Sequence, residues 1–250
     1  IHFAMINFLE EFWCGRPGKK LLNTDFFRKL FNLRQYMIKK GGIMKKFLLF
    51  SLLVGLFGGS QAQDLKPIKL NQPNVKRGLP VMTALQKRQS TREYADKKLE
   101  LQDLSDLLWA AAGINRPESG KRTSPTAMNK QEIDVYVCLQ EGAYLYHPKA
   151  NSLEPVTKED LRPAVGGGQG FVATAPVCLV MVADLSKFGG EVLMPALDAG
   201  IVSQNISLFC SGTGLVTVPR ASMDQAKLKS GLKLKDTQRP LINHPVGYAK

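Results

Sequence analysis

Three β-strand patterns follow one another closely between Ile133 and Val156, and this stretch constrains the fold of the 250-residue chain more than any other. The first pattern, at 133–139, is rich in the β-branched and aromatic residues that are typical of strands. A Gln-Glu-Gly turn separates it from the second pattern, and a Pro-Lys-Ala-Asn turn separates the second from the third. Connections this short join antiparallel neighbours. The sequence therefore predicts a meander of antiparallel strands.

Helical patterns surround this meander in the sequence. Apolar residues recur at helical spacing between Leu101 and Ala111, and Gly113 is expected to end this helix in the left-handed conformation. A short helix is predicted at 81–87 and a longer one at 195–212. The remaining patterns predict a strand at 176–183, a strand and loop at 214–221, and a final strand at 240–248.

Small side chains recur every fourth residue in the predicted helix at 195–212. The row consists of Ala199, Ser203, Ser207 and Ser211. Small side chains allow two helices to approach closely, because the interaxial distance depends on the side chains at the contact. The residues alone leave two alternatives open, which are close packing inside one subunit and an interface between subunits.

The N-terminal quarter of the chain has the features of a targeting segment. Residues 44–62 combine a positively charged start, a short apolar run and a small-x-small cleavage site, which predicts a secretory signal peptide. A membrane anchor is the alternative, but the apolar run is shorter than the roughly 20 residues that span a bilayer. Residues 1–43 are predicted to be a mistranslated upstream extension, with a real amphipathic extension as the alternative. We therefore expect 63–80 to be a surface arm, 81–250 to be the folded domain, and the protein to be periplasmic, or cytoplasmic if the signal is not used.

The basic net charge is weak evidence for nucleic-acid binding. Residues 1–62 contain ten of the 34 Lys and Arg residues and three of the 21 acidic residues, so their removal lowers the net charge from +13 to +6. A charge of this size with interspersed acids is ordinary for a soluble surface. We expect no nucleic-acid partner and no stable membrane span after processing.

The sequence contains no pattern for nucleophilic or metal chemistry. Cys138, Cys178 and Cys210 lie in apolar patterns, which favours buried free thiols, although one disulfide among them is an open alternative. The glycine-rich run at 166–170 precedes a strand, whereas dinucleotide and phosphate loops follow one. No catalytic protein residue and no metal site are predicted.

Two polar clusters are the candidate ligand-binding features. In the first, Arg88 and Arg92 bracket Ser90, and forked guanidinium donors with a hydroxyl group between them suit a phosphorylated cofactor. The second cluster, at 122–131, could supply side-chain and backbone hydrogen bonds to the rest of the same ligand. The hypothesis is that both clusters bind one molecule.

The order of these motifs resembles the FMN-dependent nitroreductase family. Arg-x-Ser-x-Arg precedes an apolar helix, and Ser-Pro-Thr-Ala-x-Asn-x-Gln precedes a strand; the Leu-Trp-Ala-Ala and Gly-Ile-Asn segments near residue 110 resemble the SagB-type dehydrogenase branch. The resemblance covers about Arg88 to Tyr248. It implies an α+β fold with a mixed central β-sheet flanked by helices, and a homodimer in which FMN lies at the interface. It also favours the interface alternative for the small-residue helix.

The resemblance implies the roles of individual residues. Arg88 would meet the FMN phosphate, Arg92 would stabilise negative charge near the flavin N1 and C2 carbonyl, and Ser90 would bond the ring or ribityl group. This chain departs from the family in having Glu132 where many relatives have proline, and in ending before a basic residue that many relatives place on the phosphate, a role for which Arg220 or Lys250 could substitute. The implied cofactor-binding residues are Arg88, Gln89, Ser90, Arg92, Pro125, Thr126, Ala127, Asn129, Gln131, Pro219 and Arg220.

The function implied by the resemblance is an FMN-dependent oxidoreductase that transfers a hydride through flavin N5 to or from a small molecule. The alternative from another class is an exported, non-catalytic protein that binds flavin or another ligand with the same fold. The substrate and the electron donor stay open. Because an exported enzyme would not be supplied with reduced nicotinamide, we expect NADH and NADPH to reduce it slowly.

Overall fold

The computed structural model describes residues 65–250, so the predicted upstream extension (1–43) and signal peptide (44–62) lie outside the described residues. The predicted surface arm is described from residue 65 onward. Within the described part, no helix is both long and apolar enough to cross a membrane.

A seven-stranded sheet forms the centre of the described domain, in the strand order β1-β6-β5-β4-β7-β9-β8. A separate two-stranded hairpin joins β2 to β3. The strands are β1 (Ile68–Lys69), β2 (Ile114–Arg116), β3 (Lys121–Arg122), β4 (Ile133–Leu139), β5 (Gly142–His147), β6 (Ser152–Thr157), β7 (Val177–Asp184), β8 (Leu215–Thr217) and β9 (Gln238–Tyr248).

The predicted meander is confirmed, because β4, β5 and β6 pair in sequence order with short turns between them. The α+β class is confirmed as well. The sheet differs from the mixed sheet that was expected, because each pairing within the seven-stranded sheet of the described residues is antiparallel. The longer connections, such as the one from β6 to β7, bring the chain back to the sheet so that the new strand runs antiparallel to the strands beside it.

Five α-helices cover the two faces of this sheet in the described residues. The predicted short helix has the bounds that the sequence indicated, and the predicted long helix extends a few residues further than its pattern. The two shortest helices after β6 were not predicted. The helices are α1 (Val81–Lys87), α2 (Leu101–Ala112), α3 (Arg162–Gly166), α4 (Leu193–Thr213) and α5 (Gln225–Gly231), with 3₁₀ turns at Ala127–Asn129, Gly170–Thr174 and Leu185–Phe188.

The sheet separates two hydrophobic clusters because successive side chains of a strand point to opposite faces. On one face, α2 and α4 pack with strand residues such as Val137 and Leu179. On the other face, α3 and α5 pack with Cys178 and Val180. The three cysteines in the described residues are buried and free, in agreement with the expectation of buried thiols.

Gly113 ends α2 for a different reason from the one predicted. Its φ and ψ are −72° and 159°, so the residue is extended and not left-handed. The Trp109 ring occupies the space beside it, and a Cβ atom on Gly113 would lie 2.4 Å from Trp109 Cδ1. The chain enters β2 directly after this residue. Glycine is therefore needed here for close approach to the indole and not for a positive φ.

The arm before α1 contacts the rest of the domain at two places. Its short strand β1 adds to the edge of the sheet through β6, an element that the sequence did not indicate. Further along the arm, Arg77 Nη1 lies 2.6 Å from Asp103 Oδ1 and 2.9 Å from Asp106 Oδ2. These ion pairs hold the arm on α2.

Candidate functional site

The first polar cluster forms a loop that α1 delivers to the end of strand β8. The backbone N–H of Arg88 caps the helix by donating to Ala84 O at 3.0 Å, and the N–H of Thr91 donates to Thr217 O at 3.0 Å. The side chains of Arg88, Ser90 and Arg92 are exposed. None of these three side chains makes a hydrogen bond or an ion pair within residues 65–250. Guanidinium groups without a partner and a free hydroxyl group are donors of the kind that anions accept.

Arg220 lies beside this loop, but its guanidinium group is already engaged. Nη1 donates to Val165 O at 3.0 Å and to Asn243 Oδ1 at 2.8 Å, and Nη2 donates to Gly166 O at 2.8 Å. Burial lowers the pKa of Arg220, and the nearby charge of Arg92 lowers it further. The structure therefore brings the first cluster together with Pro219 and Arg220, and Arg220 anchors the glycine-rich turn after α3.

The second polar cluster is a tightly bonded turn with unusual backbone angles. Met128, Asn129 and Gln131 have φ values of 54°, 53° and 48°, a conformation in which non-glycine residues are uncommon and strained. Hydrogen bonds hold the turn: Gln131 N donates to Thr126 Oγ1 at 2.9 Å, and Gln131 Nε2 donates to Gly120 O at 3.0 Å. Such strain is common where a backbone is shaped for binding.

The side chains of this turn differ in their availability. The Gln131 amide group is used inside the turn, because it also donates to Asn129 Oδ1 at 3.2 Å. Asn129 is exposed, and its side-chain N–H groups make no hydrogen bond within the described residues. Pro125 is exposed, and Thr126 and Ala127 are half-buried. Asn129 is thus the polar side chain of the turn that is best placed to bind a ligand.

The two clusters do not meet within one chain. The second cluster is held to the beginning of α4, where Ala127 N donates to Asp198 Oδ2 at 2.8 Å. The first follows α1, which is held near the end of α4 by a bond of 2.8 Å from Ser211 Oγ to Ala84 O. A rise of 1.5 Å per residue separates Asp198 from Ser211 by about 20 Å along the helix. One chain therefore places the two clusters toward opposite ends of α4, and the hypothesis that both bind one molecule stays a prediction.

The small-residue row of α4 faces its own subunit. Ser203 Oγ lies 2.7 Å from His244 Nε2, Ser207 Oγ donates to Ser203 O, and Ser211 contacts α1. The opposite side of the helix carries Leu193, Leu197 and Ile201, which are 65%, 56% and 37% exposed. The resemblance favoured an interface for this row, but the row packs within its own subunit and the larger apolar residues of α4 are the exposed ones.

A buried polar chain through His244 was not predicted. Thr217 Oγ1 donates to Pro245 O at 2.8 Å, so it accepts from His244 Nδ1 at 3.0 Å, and the other ring nitrogen accepts from Ser203. Burial lowers the pKa of His244 to about 3, which keeps the ring neutral. These hydrogen bonds connect α4 to β8 and β9, and so support the segment that leads from β8 to Pro219 and Arg220. No local sequence pattern predicts these hydrogen bonds, because the partners are far apart along the polypeptide.

Glu132 and Asp198 are two buried acidic residues that the sequence did not indicate as functional. Both residues are buried, and burial together with the Asp198 carboxyl group raises the pKa of Glu132 to about 7. Within residues 65–250, no three His, Cys, Asp or Glu side chains are grouped closely enough to hold a metal ion.

Comparison with known proteins identifies the fold. Residues 85–248 match the nitroreductase family. A protein of Methanocaldococcus jannaschii that is named a nitroreductase is 29% identical over 201 residues, which cover 75% of this chain and 94% of the relative.

Solved structures agree with this match. A nitroreductase structure from Ralstonia eutropha has a TM-score of 0.70 and 36% identity, covering 74% of this chain and 90% of the other. An FMN-dependent nitroreductase from Clostridium difficile has a TM-score of 0.51 and 18% identity, with 68% and 87% covered. The second likeness shows the fold alone.

Proposed function

Because the chain belongs to the nitroreductase family, we propose that it is an FMN-dependent oxidoreductase that acts on a small molecule. The observation that carries the proposal is the loop after α1, where Arg88, Ser90 and Arg92 are exposed and without partners in residues 65–250. A phosphate group needs such donors, and guanidinium groups bind it with charge-assisted hydrogen bonds. The residues that are present therefore fit a flavin phosphate and the polar edge of its ring.

Each residue of this loop has a distinct proposed role. Arg88 holds the phosphate, and Ser90 bonds the ribityl chain or the ring. Bound FMN supplies a two-electron centre at N5 that accepts or returns a hydride. Arg92 stabilises the negative charge that accompanies reduction near N1 and the C2 carbonyl group, as fixed donors do for developing charge elsewhere. Lys250, which is exposed, is a freer second cation for the phosphate than Arg220, which is bonded to its own chain.

We further propose that the complete site is formed by two copies of the chain. One chain alone separates Asn129 from the arginine loop by most of the length of α4. A two-fold axis beside α4 would place the beginning of one helix near the end of its partner, and would bring Asn129 of one chain to the arginine loop of the other. The outward apolar residues Leu193, Leu197 and Ile201, together with Val81, Met82 and Leu85 on α1, support this face as the interface.

The finer assignments extend this proposal. The segments around Trp109 and Gly113 favour the SagB-type dehydrogenase branch, and the pattern at 44–62 favours export to the periplasm. N-terminal sequencing of protein made in a Gram-negative host is expected to begin near Gln63. An exported enzyme would draw electrons from its own organic substrate or from a periplasmic or membrane donor. Rapid anaerobic reduction by micromolar NADPH would instead favour a cytoplasmic enzyme.

The visible spectrum of the purified protein tests the central proposal. We expect a flavin spectrum, FMN after release by denaturation, and bleaching and recovery of the colour with a suitable donor and acceptor. A protein that stays colourless when FMN is added would contradict the proposal. A protein that binds FMN and exchanges no electrons with any donor would support the alternative of a non-catalytic flavin-binding protein.

A further inference from the structure

Two buried cysteines lie directly opposite each other at the centre of the sheet. Cys138 on β4 is the register partner of Cys178 on β7, and both residues are fully buried. Both belong to the hydrophobic cluster on the face of the sheet that α3 and α5 cover. Cys210 lies on α4 and packs in the cluster on the opposite face. Of the pairings among these three cysteines, the sheet therefore allows the one between Cys138 and Cys178.

The strand geometry suits a disulfide between these two residues. At the start of the same ladder, Asp184 N donates to Glu132 O at 3.0 Å, so these opposite residues are a hydrogen-bonded pair. Hydrogen-bonded pairs recur at every second residue, so Cys138 and Cys178 form one as well, with Cα atoms about 5.5 Å apart. Disulfides most often join Cα atoms about 5.5–6 Å apart. The Cβ atoms of opposite residues lie about 4.5–5.5 Å apart and need a small approach to reach the disulfide range of about 3.5–4.5 Å.

The hydrogen bonds around the pair tolerate the loss of the thiol hydrogens. Cys178 Sγ donates weakly to Val172 O at 3.5 Å, and the same carbonyl group accepts from Ala175 N at 3.2 Å. The Val172 carbonyl group therefore keeps a partner when Cys178 is oxidised. On its other side, Cys138 is paired with Ala143 of β5, which is a small residue.

Burial determines when the two thiols can react. It raises the pKa of Cys138 to about 12 and the pKa of Cys178 well above its ordinary value. The thiolate, which is the form that attacks a disulfide, is therefore scarce in the folded domain. Because neither residue is open to solvent, an exchange partner reaches the sulfur atoms before β4 and β7 are packed.

We propose that Cys138 and Cys178 form a cross-strand disulfide when the chain folds in the presence of a disulfide donor. The thiolate of one cysteine attacks the donor, R–S–S–R, and releases one R–SH; the other cysteine attacks the mixed disulfide and releases the second R–SH. The cysteines lose two electrons and two protons, which the donor takes up. The structure shows the reduced form, with both thiols free. Because disulfides persist in oxidising compartments, the occurrence of the oxidised form in the cell rests on the proposed export.

The disulfide closes a loop at the centre of the domain. The loop contains β5, β6 and the glycine-rich turn, whose Gly166 O accepts from Arg220 Nη2. A cross-link of this kind stabilises a protein mainly by restricting the unfolded chain. We therefore expect the oxidised protein to unfold at a higher denaturant concentration than the reduced protein.

Refolding tests the pair directly. The full chain, with Cys14→Ser so that three cysteines are present, is reduced in denaturant and refolded with glutathione and glutathione disulfide. Remaining thiols are alkylated in denaturant, and the tryptic peptides, each of which contains at most one of these cysteines, are identified without reduction. We expect one alkylated thiol, at Cys210, and a peptide pair that joins Cys138 to Cys178. Three alkylated thiols, or a disulfide that includes Cys210, would overturn the proposal.

Two variants in the same background test the effect on stability. Cys210→Ala is the matched control, because it removes a buried thiol on the other face of the sheet and should keep the disulfide. Its midpoint of chemical denaturation should shift to a lower denaturant concentration when the protein is reduced. Cys138→Ala should form no disulfide and should have the same midpoint under both conditions. A control whose midpoint does not change on reduction would overturn the stabilising role.

Exported protein gives an independent test, and its outcomes separate the proposals. Protein from the periplasm of a Gram-negative host should contain the disulfide, and protein kept in the cytoplasm should contain free thiols. A disulfide that forms on refolding but not in exported protein would contradict the part that rests on export and leave the pairing standing. Oxidised protein that binds no FMN would contradict the proposed function and leave the disulfide standing.

Discussion

At the scale of single residues, the chemistry of the candidate site depends on side chains that the fold leaves without partners. Arg88 and Arg92 are exposed cations with no ion pair in the described residues, whereas the N–H groups of Arg220 already donate to backbone carbonyl groups. The difference matters because a guanidinium group that already binds its own chain must break those bonds before it binds a ligand. The loop arginines are therefore the better ligands for an anion.

Replacing Arg88 with alanine should weaken FMN binding. Loss of a charge-assisted hydrogen bond is worth about 1.5–3 kcal/mol, which corresponds to about a 10- to 150-fold increase in the dissociation constant. Lys87→Ala, one residue earlier on the exposed end of α1, is the matched control and should change the affinity little.

Arg92→Ala should chiefly lower the flavin midpoint potential, measured by anaerobic titration. Wild-type affinity and potential in both arginine variants would refute these roles.

The contribution of His244 to the free energy of unfolding should change with pH in the opposite direction to the contribution of Glu132. Burial lowers the pKa of His244 from 6.5 to about 3, so between these values the unfolded chain binds a proton that the folded chain does not. Stability from His244 therefore increases with pH across that window, by at most about 1.4 kcal/mol per pH unit. Glu132, with its pKa raised from 4.5 to about 7, is protonated only in the folded chain between those values, so its contribution falls as pH rises.

Unfolding by denaturant at a series of pH values measures this opposition. In the pH range where both groups contribute, the free energy of unfolding of the wild type should change little. That of His244→Gln should fall as pH rises, and that of Glu132→Gln should rise. The slope is the informative quantity, since either substitution can also change the stability at every pH. Equal slopes in the two variants would contradict the assignment.

At the scale of elements, close packing and not local conformational preference determines how α2 ends. Gly113 is extended, a conformation open to any residue, yet the Trp109 ring fills the position of a side chain. The indole Nε1 donates to Ile114 O at 3.2 Å, which holds the ring over the junction. The helix, the indole and the start of β2 thus form one packed unit.

Gly113→Ala should destabilise the domain. A Cβ atom would meet Trp109 Cδ1 at 2.4 Å and Trp109 Cα at 2.7 Å, so backbone or ring must move, and overpacking of this kind costs about 1–3 kcal/mol. Gly170→Ala is the control, because a Cβ atom there meets nothing within 4 Å in the described residues and its φ is not positive. Chemical denaturation of both variants measures the difference, and equal stabilities would show that the indole adapts without cost.

At the scale of the whole molecule, the exposed apolar surface and the divided site lead to the same arrangement. Large apolar residues are exposed on α1, on α4 and at Met128 in the second cluster. Exposed apolar side chains that gather into a patch mark an interaction site. The second copy that would cover it would also complete the flavin site, so association and cofactor binding should be linked.

Leu197→Glu should weaken both dimer formation and FMN binding. The side chain is 56% exposed in the single chain, so a carboxylate is tolerated there in the monomer but would be buried without a partner in the dimer. Light scattering after size exclusion gives the mass, and flavin fluorescence gives the affinity. Leu101→Glu, at a 41% exposed residue of α2, is the control and should remain dimeric. A monomeric variant with full FMN affinity would show that one chain holds the whole site.

The sequence by itself determined the longer helices and strands and the polar residue types of the two clusters, but not β1, α3 or α5. Helices, strands and turns follow from residue spacing over a few positions, so the meander, α1 and α2 could be predicted, and the arginine loop and the second cluster could be recognised from their donors. These features depend on neighbours in the chain.

Only the tertiary structure decided which of these features meet. Asp198 and Ser211 place the two clusters toward opposite ends of α4, and the hydrogen bond between Ser203 and His244 turns the small-residue row inward. Each of these relations joins residues that are separated in sequence and brought together by strand pairing and helix packing. A local pattern carries no record of such a contact, because the free energy that selects it comes from burial in the whole domain.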